Sequence, residues 1–157
     1  MTLMDAKQYD PRPTQRRNRI IVIIVVIIVV PLVVWFFFFR YWPEKHAINK
    51  FFQALEQKDL EQAYGIYQGD PDWKQHPQKY SNYTLGQFTV DWGPSGEYGA
   101  ITSHHVDCAL KPKANSSGVV VVVTINHRAE PRSMWVESKS KAISDSPVGN
   151  VLCRGQQ

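Results

Sequence analysis

The most regular feature of the chain is an uninterrupted apolar run near its N-terminus. Residues 20–39 read IIVIIVVIIVVPLVVWFFFF and contain no charged residue. At 1.5 Å per residue, a helix of this length covers roughly 30 Å, the thickness of the hydrocarbon core of a bilayer. The run ends in phenylalanines followed by Arg40, Tyr41 and Trp42, without the small residues of a cleavage site. The pattern therefore predicts an uncleaved transmembrane helix over residues 20–42.

Apolar residues return after this run with the spacing of amphipathic helices. Pro43 suits the first turn of a helix. Two helical faces follow, at positions 47, 48, 51, 52 and 55 and at positions 60, 63, 64 and 67. The pairs Asp59 with Gln62 and Thr84 with Gln87 are capping-box patterns, which mark helix starts. The sequence therefore predicts two helices and a shorter third one.

From residue 98 onwards the pattern changes to extended segments separated by turn-forming residues. Strands are predicted over residues 98–110 and 119–127, through Met134 and Val136, and at Ile143. The second segment begins with five valines, whose branching at Cβ favours a strand. Helices followed by antiparallel strands predict an α+β domain, in which two or three helices pack on one face of a curved antiparallel sheet.

These patterns divide the chain into four segments. We expect a disordered cytoplasmic tail over residues 1–19, the transmembrane helix over 20–42, an extracytoplasmic domain over 43–147 and a C-terminal tail over 148–157. A domain of this size excludes a large multi-site enzyme and a transporter with many spans.

The formal net charge of +4 is concentrated in the N-terminal tail. Residues 1–19 contain five cationic residues and two carboxylates, which leaves +3 there and +1 in the remainder. Because cationic residues collect on the cytoplasmic side of a span, the domain is predicted to lie outside a plasma (inner) membrane. The nearly neutral domain gives no electrostatic argument for nucleic acid as a partner, whereas the basic tail suits the anionic surface of a lipid bilayer.

Several segments resemble the nuclear transport factor 2-like superfamily, which has a cystatin-like cone fold. They are AINKFFQALEQKDLEQAY, an aromatic segment that ends in DWG, and the terminal KSKAISDS, in which Lys141, Ile143 and Asp145 resemble the charged turn and last strand of that family. The stretch YSNYTLGQFTVDWGPSGEYGAI is similar to small anchored bacterial proteins of unassigned role. The resemblance covers about residues 44–147 and implies a cone-shaped domain, a fold that supports both enzymes and binding modules.

The resemblance also suggests where a pocket would be. Tyr83, Asp91 and Tyr98 lie in the region expected for its rim. Enzymes of the superfamily use a Tyr and Asp pair there, but no residue matches their motif. The sequence also contains no nucleophile elbow, phosphate loop or metalloprotease helix. We therefore predict no catalytic residue, no cofactor and no enzyme activity.

A metal site depends on one assumption about strand register. If the loop around Asn115 closes a simple hairpin, His105, Asp107 and His127 share a sheet face, and they are acceptable zinc or iron ligands. The same register places five side chains on the opposite and better-buried face: Val106, Cys108, Leu110, Val120 and Val122. The trio would then lie on the solvated face, so the sequence favours no metal site.

Cys108 and Cys153 are the two cysteines of the chain. In an oxidising compartment they can form a disulfide over a separation of 45 residues, which would return the segment after Pro147 to the sheet. The alternative is that Cys108 is a small core residue and Cys153 a free thiol near the end of the chain.

The leading interpretation is a single-pass, signal-anchored membrane protein. Its extracytoplasmic, or periplasmic, domain would bind or scaffold another envelope protein, or associate with itself, without catalysis. Two alternatives stay open. One is an assembly factor of a secretion or transport complex, similar to the inner-membrane VirB-type proteins. The other is a domain with a small-molecule-binding or isomerase-like pocket.

Overall fold

The computed structural model describes residues 12–153, with side chains for all of them except residues 12–17, 37 and 38. Residues 1–11 of the predicted tail and residues 154–157 at the C-terminus lie outside the described residues. The chain divides into two units between Arg40 and Tyr41. The predicted boundary after residue 42 is therefore two residues late, because Trp42 already opens the first helix of the second unit.

The first unit is described as one helix, α1 (Arg12–Phe39). It contains Asn18–Phe36, a stretch long and apolar enough to cross a membrane and with none of its residues buried. Its length, composition and position fit a membrane anchor or a signal sequence. The helix begins within the segment expected to be disordered. Its start has a physical reason, since Gln and Arg extend an existing helix at little cost and Pro13 is tolerated in the first turn.

The second unit confirms the α+β prediction. Its helices are α2 (Trp42–Glu56), α3 (Leu60–Gln68) and α4 (Leu85–Trp92), with two short 3-10 helices, Trp73–Gln75 and Pro77–Tyr80, before α4. Its strands are β1 (His104–Leu110), β2 (Gly118–Ile125), β3 (Arg132–Glu137) and β4 (Ile143–Asp145). The strands form one antiparallel sheet in the order of the chain.

The predicted helix caps are present. The Asp59 carboxylate accepts a hydrogen bond from the Gln62 backbone N–H at 2.9 Å, which satisfies one of the free donors at the start of α3. At the start of α4 the capping box is complete, because Thr84 and Gln87 each bond the backbone of the other.

An aromatic cluster joins the three helices to the sheet. The rings of Phe51 on α2 and Trp92 on α4 meet edge to face with centroids 5.1 Å apart, and Tyr64 on α3 meets Phe88 on α4 at 5.4 Å. These geometries are the preferred ones for aromatic pairs. All four side chains are buried against the alternate valines of β2, so α2, α3 and α4 cover one face of the sheet.

The opposite face of the sheet is also buried. Val120 and Val122 point away from the helices, yet neither has any exposed surface. The segment after β4 covers them, because Ser133 exchanges hydrogen bonds with the backbone of Val151 and Cys153 is joined to Cys108 by a disulfide. We call residues 147–153 the C-terminal strap. The strap belongs to the folded domain and is not a separate tail.

A β-bulge changes which residues of β1 face the helices. The register shifts between Val106 and Cys108. As a result Val106, opposite Val123, faces the helices, whereas Cys108, opposite Val122, faces the strap. The expectation that Cys108 shares a face with Val122 is met, but the expectation that Val106 does so is wrong, since the extra residue in a bulge reverses the alternation after it.

Gly69 joins the end of α3 to the turn between β3 and β4. Its φ of 64° is left-handed, and a Cβ atom there would lie 2.5 Å from the Ser140 carbonyl oxygen and 2.6 Å from the Ala142 nitrogen. Gly99 has a similar φ of 65°, but a Cβ atom there would contact nothing within 4 Å. The two glycines therefore separate the effect of backbone conformation from that of close packing.

We expect Gly69→Ala to lower the free energy of unfolding by about 3 kcal/mol, because left-handed strain and overpacking each contribute. Gly99→Ala should lower it by only about 1 kcal/mol, from backbone strain alone. Urea denaturation of both variants measures the difference. Equal losses in the two variants would show that the contact of Gly69 with the 140–142 turn is unimportant.

Candidate functional site

A polar cleft opens at one end of the helix-covered sheet face. On β3, Arg132 lies two residues before Met134, so it points to the same face as that core residue. On β4, Asp145 lies two residues after the buried Ile143. The Arg132 guanidinium donates to Asp145 Oδ1 at 2.6 Å, and the pair forms the floor of the cleft.

Helices α3 and α4 supply the opposite wall. Tyr83, just before α4, donates its hydroxyl to Asp91 Oδ2 at 2.8 Å. Tyr67 on α3 packs beside it, with ring centroids 5.5 Å apart. The Tyr67 hydroxyl makes no hydrogen bond with another described residue, so it is available to an occupant of the cleft.

The loop before β1 closes the third side. Asn126 has a left-handed φ of 49°, and its side-chain amide bonds the backbone of Tyr98 at 3.2 Å and of Thr102 at 2.8 Å. This holds the Tyr98 ring parallel to Trp92, with centroids 5.8 Å apart. The Arg128 guanidinium lies over the Tyr98 ring, 4.9 Å from its centroid, which is a cation–π contact.

We call this site the tyrosine–carboxylate cleft. Its volume is about 420 Å³, within the range of small-ligand sites. The side chains that line it include Tyr67, Tyr83, Asp91, Trp92, Glu97, Tyr98, Arg132 and Asp145. Three carboxylates face one guanidinium, and the nearest approach of Glu97 to Arg132 is 3.7 Å. The cleft therefore carries net negative charge between aromatic walls.

The environment of the cleft keeps its tyrosines protonated. Burial, followed by the charges of Asp145 and Asp91, raises the pKa of Tyr67 to about 12. Burial and the hydrogen bond to Asp91 raise the pKa of Tyr83 well above its ordinary value. Burial also raises the pKa of Tyr98. At neutral pH all three hydroxyls are therefore neutral hydrogen-bonding groups.

The structure brings together the three residues predicted for the pocket rim, since Tyr83, Asp91 and Tyr98 all line the cleft. The sequence reasoning missed Tyr67, Arg132 and Asp145. The period of two along the strands could have found Arg132 and Asp145, because each is a charged residue on an otherwise apolar face. Helical spacing predicts Tyr67 on the buried side of its helix, and nothing in that spacing indicates that it also lines a cleft.

The residues considered for a metal site do not form one. Asp107 lies at the β-bulge, where its carboxylate accepts a hydrogen bond from Thr124 at 2.8 Å. His127 lies beyond the end of β2 in a turn, with a φ of 55°. Among residues 12–153, no group of three or more His, Cys, Asp or Glu side chains could hold a metal ion.

Comparisons of the chain with protein-family models, with curated proteins and with solved structures found no match. The resemblance to the nuclear transport factor 2-like superfamily therefore stays a prediction.

Replacing Asp91 and Asp145 together by asparagine should lower the pKa of Tyr67 from about 12. It should stay above the ordinary value of 10.0, because burial is the larger cause. Titration of tyrosine ¹³Cζ resonances in the full chain measures this shift. Asp107→Asn, on the other sheet face, is the control and should leave Tyr67 unchanged; an equal effect of both changes would contradict the geometry.

The raised pKa of Tyr67 also sets the direction of alkaline instability. The folded state holds the proton more tightly than the unfolded state. The stability that Tyr67 contributes is therefore fully present below about pH 10 and is lost as the pH rises through about 12. When Asp91 and Asp145 are replaced by asparagine, the pKa of Tyr67 rises less on folding. This stability should therefore be lost over a narrower pH range.

Proposed function

We propose that the chain is a single-pass membrane protein whose globular unit is a binding module outside the cytoplasm. In this proposal the tyrosine–carboxylate cleft takes a cationic group of another envelope component, such as an arginine side chain. The observation that carries the proposal is the cleft itself, a concave site with a net excess of carboxylates between aromatic walls.

The chemistry of the walls favours a guanidinium or ammonium group. Asp91 and Glu97 are exposed carboxylates that can accept charge-assisted hydrogen bonds. Arg128 over the Tyr98 ring shows that a guanidinium packs on an aromatic ring beside the cleft, and that ring is thereby already engaged. An anionic ligand would have to displace or oppose the carboxylates that surround the single guanidinium of Arg132.

The same groups favour binding over catalysis. A general base is most effective with a pKa near the working pH. Tyr67 and Tyr83 are held protonated far above it, so neither is suited to remove a proton at neutral pH. Arg132 and Asp145 form an ion pair with each other. These arrangements suit recognition of a fixed charge.

Three observations support an anchor with the domain outside. The apolar helix α1 ends without the small residues of a cleavage site, which favours retention over removal. Arg16, Arg17 and Arg19 immediately precede its apolar run, as expected for a cytoplasmic end. A disulfide in the globular unit persists in an oxidising compartment and is rare in the cytosol.

The disulfide provides a test of location. We expect the full chain, alkylated during isolation from its native membranes, to show Cys108 linked to Cys153 and neither thiol modified. Replacing both by serine should lower the free energy of unfolding by about 3–4 kcal/mol on the chain-entropy model for this loop. Two alkylated thiols in the native protein would place the domain in a reducing compartment and contradict the proposal.

Binding of arginine methyl ester to the full chain tests the cleft. We expect this probe to shift the ¹³Cζ resonances of Tyr67 and Tyr83, because its guanidinium would lie beside their hydroxyls. Citrulline methyl ester has a similar side chain without the guanidinium charge and should bind more weakly. Replacing Asp91 and Asp145 by asparagine should weaken arginine binding by about tenfold or more, as expected for lost charge-assisted hydrogen bonds.

Asp107→Asn is the matched control and should bind like the native chain. Both esters carry the same α-ammonium group, so equal affinity for the two would overturn the preference for a guanidinium. Purification from native membranes then addresses the partner. Recovery of the protein alone as a monomer would contradict the scaffolding part of the proposal, whereas a component lost only in the Asp91 and Asp145 variant would support it.

A further inference from the structure

A second cavity lies on the outer surface of the helical layer. It is a groove of about 530 Å³ between α2, α3 and the turn that joins β3 to β4, and we call it the α2–α3 groove. Its apolar walls include Trp42, Ala47, Ile66 and Trp73. Trp42 is 53% exposed, a large apolar surface for a soluble domain to leave open. The groove shares no lining residue with the tyrosine–carboxylate cleft.

The carboxylates at the rim of the groove are already engaged. Glu61 forms an ion pair with Lys74, and Asp70 forms one with Lys79 at 3.5 Å and also accepts a hydrogen bond from the Tyr80 hydroxyl at 2.6 Å. Their negative charges are therefore balanced locally, and they do not disfavour an anion in the groove.

One cation at the rim of the groove forms no ion pair with another described residue. Lys141 is paired with the buried Glu44 at 2.6 Å. Lys50, by contrast, is exposed, and it makes no hydrogen bond or ion pair with another residue in the described part of the chain. The unbalanced charge at the groove is thus positive. Apolar walls with an unpaired cation at the rim fit an anionic amphiphile.

The connection between α1 and Trp42 is so short that Trp42, at the groove, stays close to any bilayer that contains α1. Trp42 lines the groove and follows Phe39, the last residue of α1, by three positions. Three residues span at most about 11 Å, whatever the direction of the helix that follows. The headgroup layer on each side of the hydrocarbon core is several ångströms thick, and tryptophan is enriched there. Lipid is therefore within reach of the groove.

We propose that the α2–α3 groove binds an anionic phospholipid of the membrane, with an acyl chain against Trp42, Ile66 and Trp73 and the phosphate beside Lys50. The inference rests on the proposed membrane anchoring. It adds a lipid site to a domain for which the cleft suggests a cationic partner. The two sites have opposite charge preference, so their ligands do not compete.

Photocrosslinking of the full chain in nanodiscs tests the proposal. The probe is phosphatidylglycerol with a diazirine in one acyl chain, compared with phosphatidylcholine carrying the same group. We expect phosphatidylglycerol to label both α1 and the groove, including peptides that contain Ile66 and Trp73. Lys50→Glu should lower groove labelling by about fivefold or more relative to α1, because it removes one cation near an anionic surface and adds a carboxylate there. Lys113→Glu, in the β1–β2 loop, is the matched charge control and should change nothing.

The outcomes separate the two proposals. Labelling of α1 without the groove would overturn the lipid site and leave the anchor supported. No labelling of α1 would overturn the anchor and the lipid site together. Groove labelling that is equal for both lipids and insensitive to Lys50→Glu would overturn the anionic specificity. Groove labelling that rises as the lipid-to-protein ratio is increased, with α1 labelling unchanged, would identify a second copy as the occupant and overturn the lipid site.

Discussion

The five consecutive valines of β2 impose the constraint on which the rest of the globular unit depends. Successive side chains of a strand point to opposite faces, so a strand in which Val119, Val120, Val121, Val122 and Val123 are all apolar must bury both faces of its sheet. The helices can cover only one. The other is covered by the C-terminal strap, whose Val148 and Leu152 stay about half exposed and which is held by Ser133 and the disulfide. The need for that attachment gives the disulfide between Cys108 and Cys153 its structural role in a domain of this size.

The tyrosine–carboxylate cleft lies at the end of the sheet where the helices and the strap no longer cover both of its faces. Toward the end of the helix-covered face, the apolar residues of β3 and β4 give way to Arg132 and Asp145, and the ends of α3 and α4 bring tyrosines against them. Each buried or half-buried charge there has a partner, as burial requires. The same rule is nearly met elsewhere in the domain. His104 on β1 is bonded to Glu56 and Asn49 of α2, whereas Glu44 has one oxygen paired with Lys141 and the other without a partner. The cleft differs in being open, since the Tyr67 hydroxyl and the Asp91 carboxylate remain accessible.

Much of this fold could be predicted because the relevant signals are local. The spacing of apolar residues and the caps at Asp59 and Thr84 identified the helices, and the valine run identified β2. The bulge at Asp107 could not be predicted, since a single extra residue leaves no mark in the composition but reverses every side chain after it. That reversal places Cys108 on the face of the strap, opposite Val122. Tyr83, Asp91 and Tyr98, the residues predicted for a pocket rim, all line the cleft, but its floor depends on strand register, which only the paired sheet defines.

Gly69 connects the two surfaces on which the functional proposals rest. It lines the α2–α3 groove, and its missing side chain lets the end of α3 contact the 140–142 turn at backbone distance. Tyr67 lies two residues before it on α3, and Asp145 lies three residues after Ala142 on β4. The contact therefore fixes the spacing between one wall of the cleft and its floor. Any side chain at position 69 must push the turn away from α3, and because packed interiors deform little, that displacement has to appear at Tyr67 and Asp145. A substitution at Gly69 should therefore change both the stability of the domain and the electrostatics of the cleft. Both effects have one cause, which is the close approach of two backbones that only glycine permits.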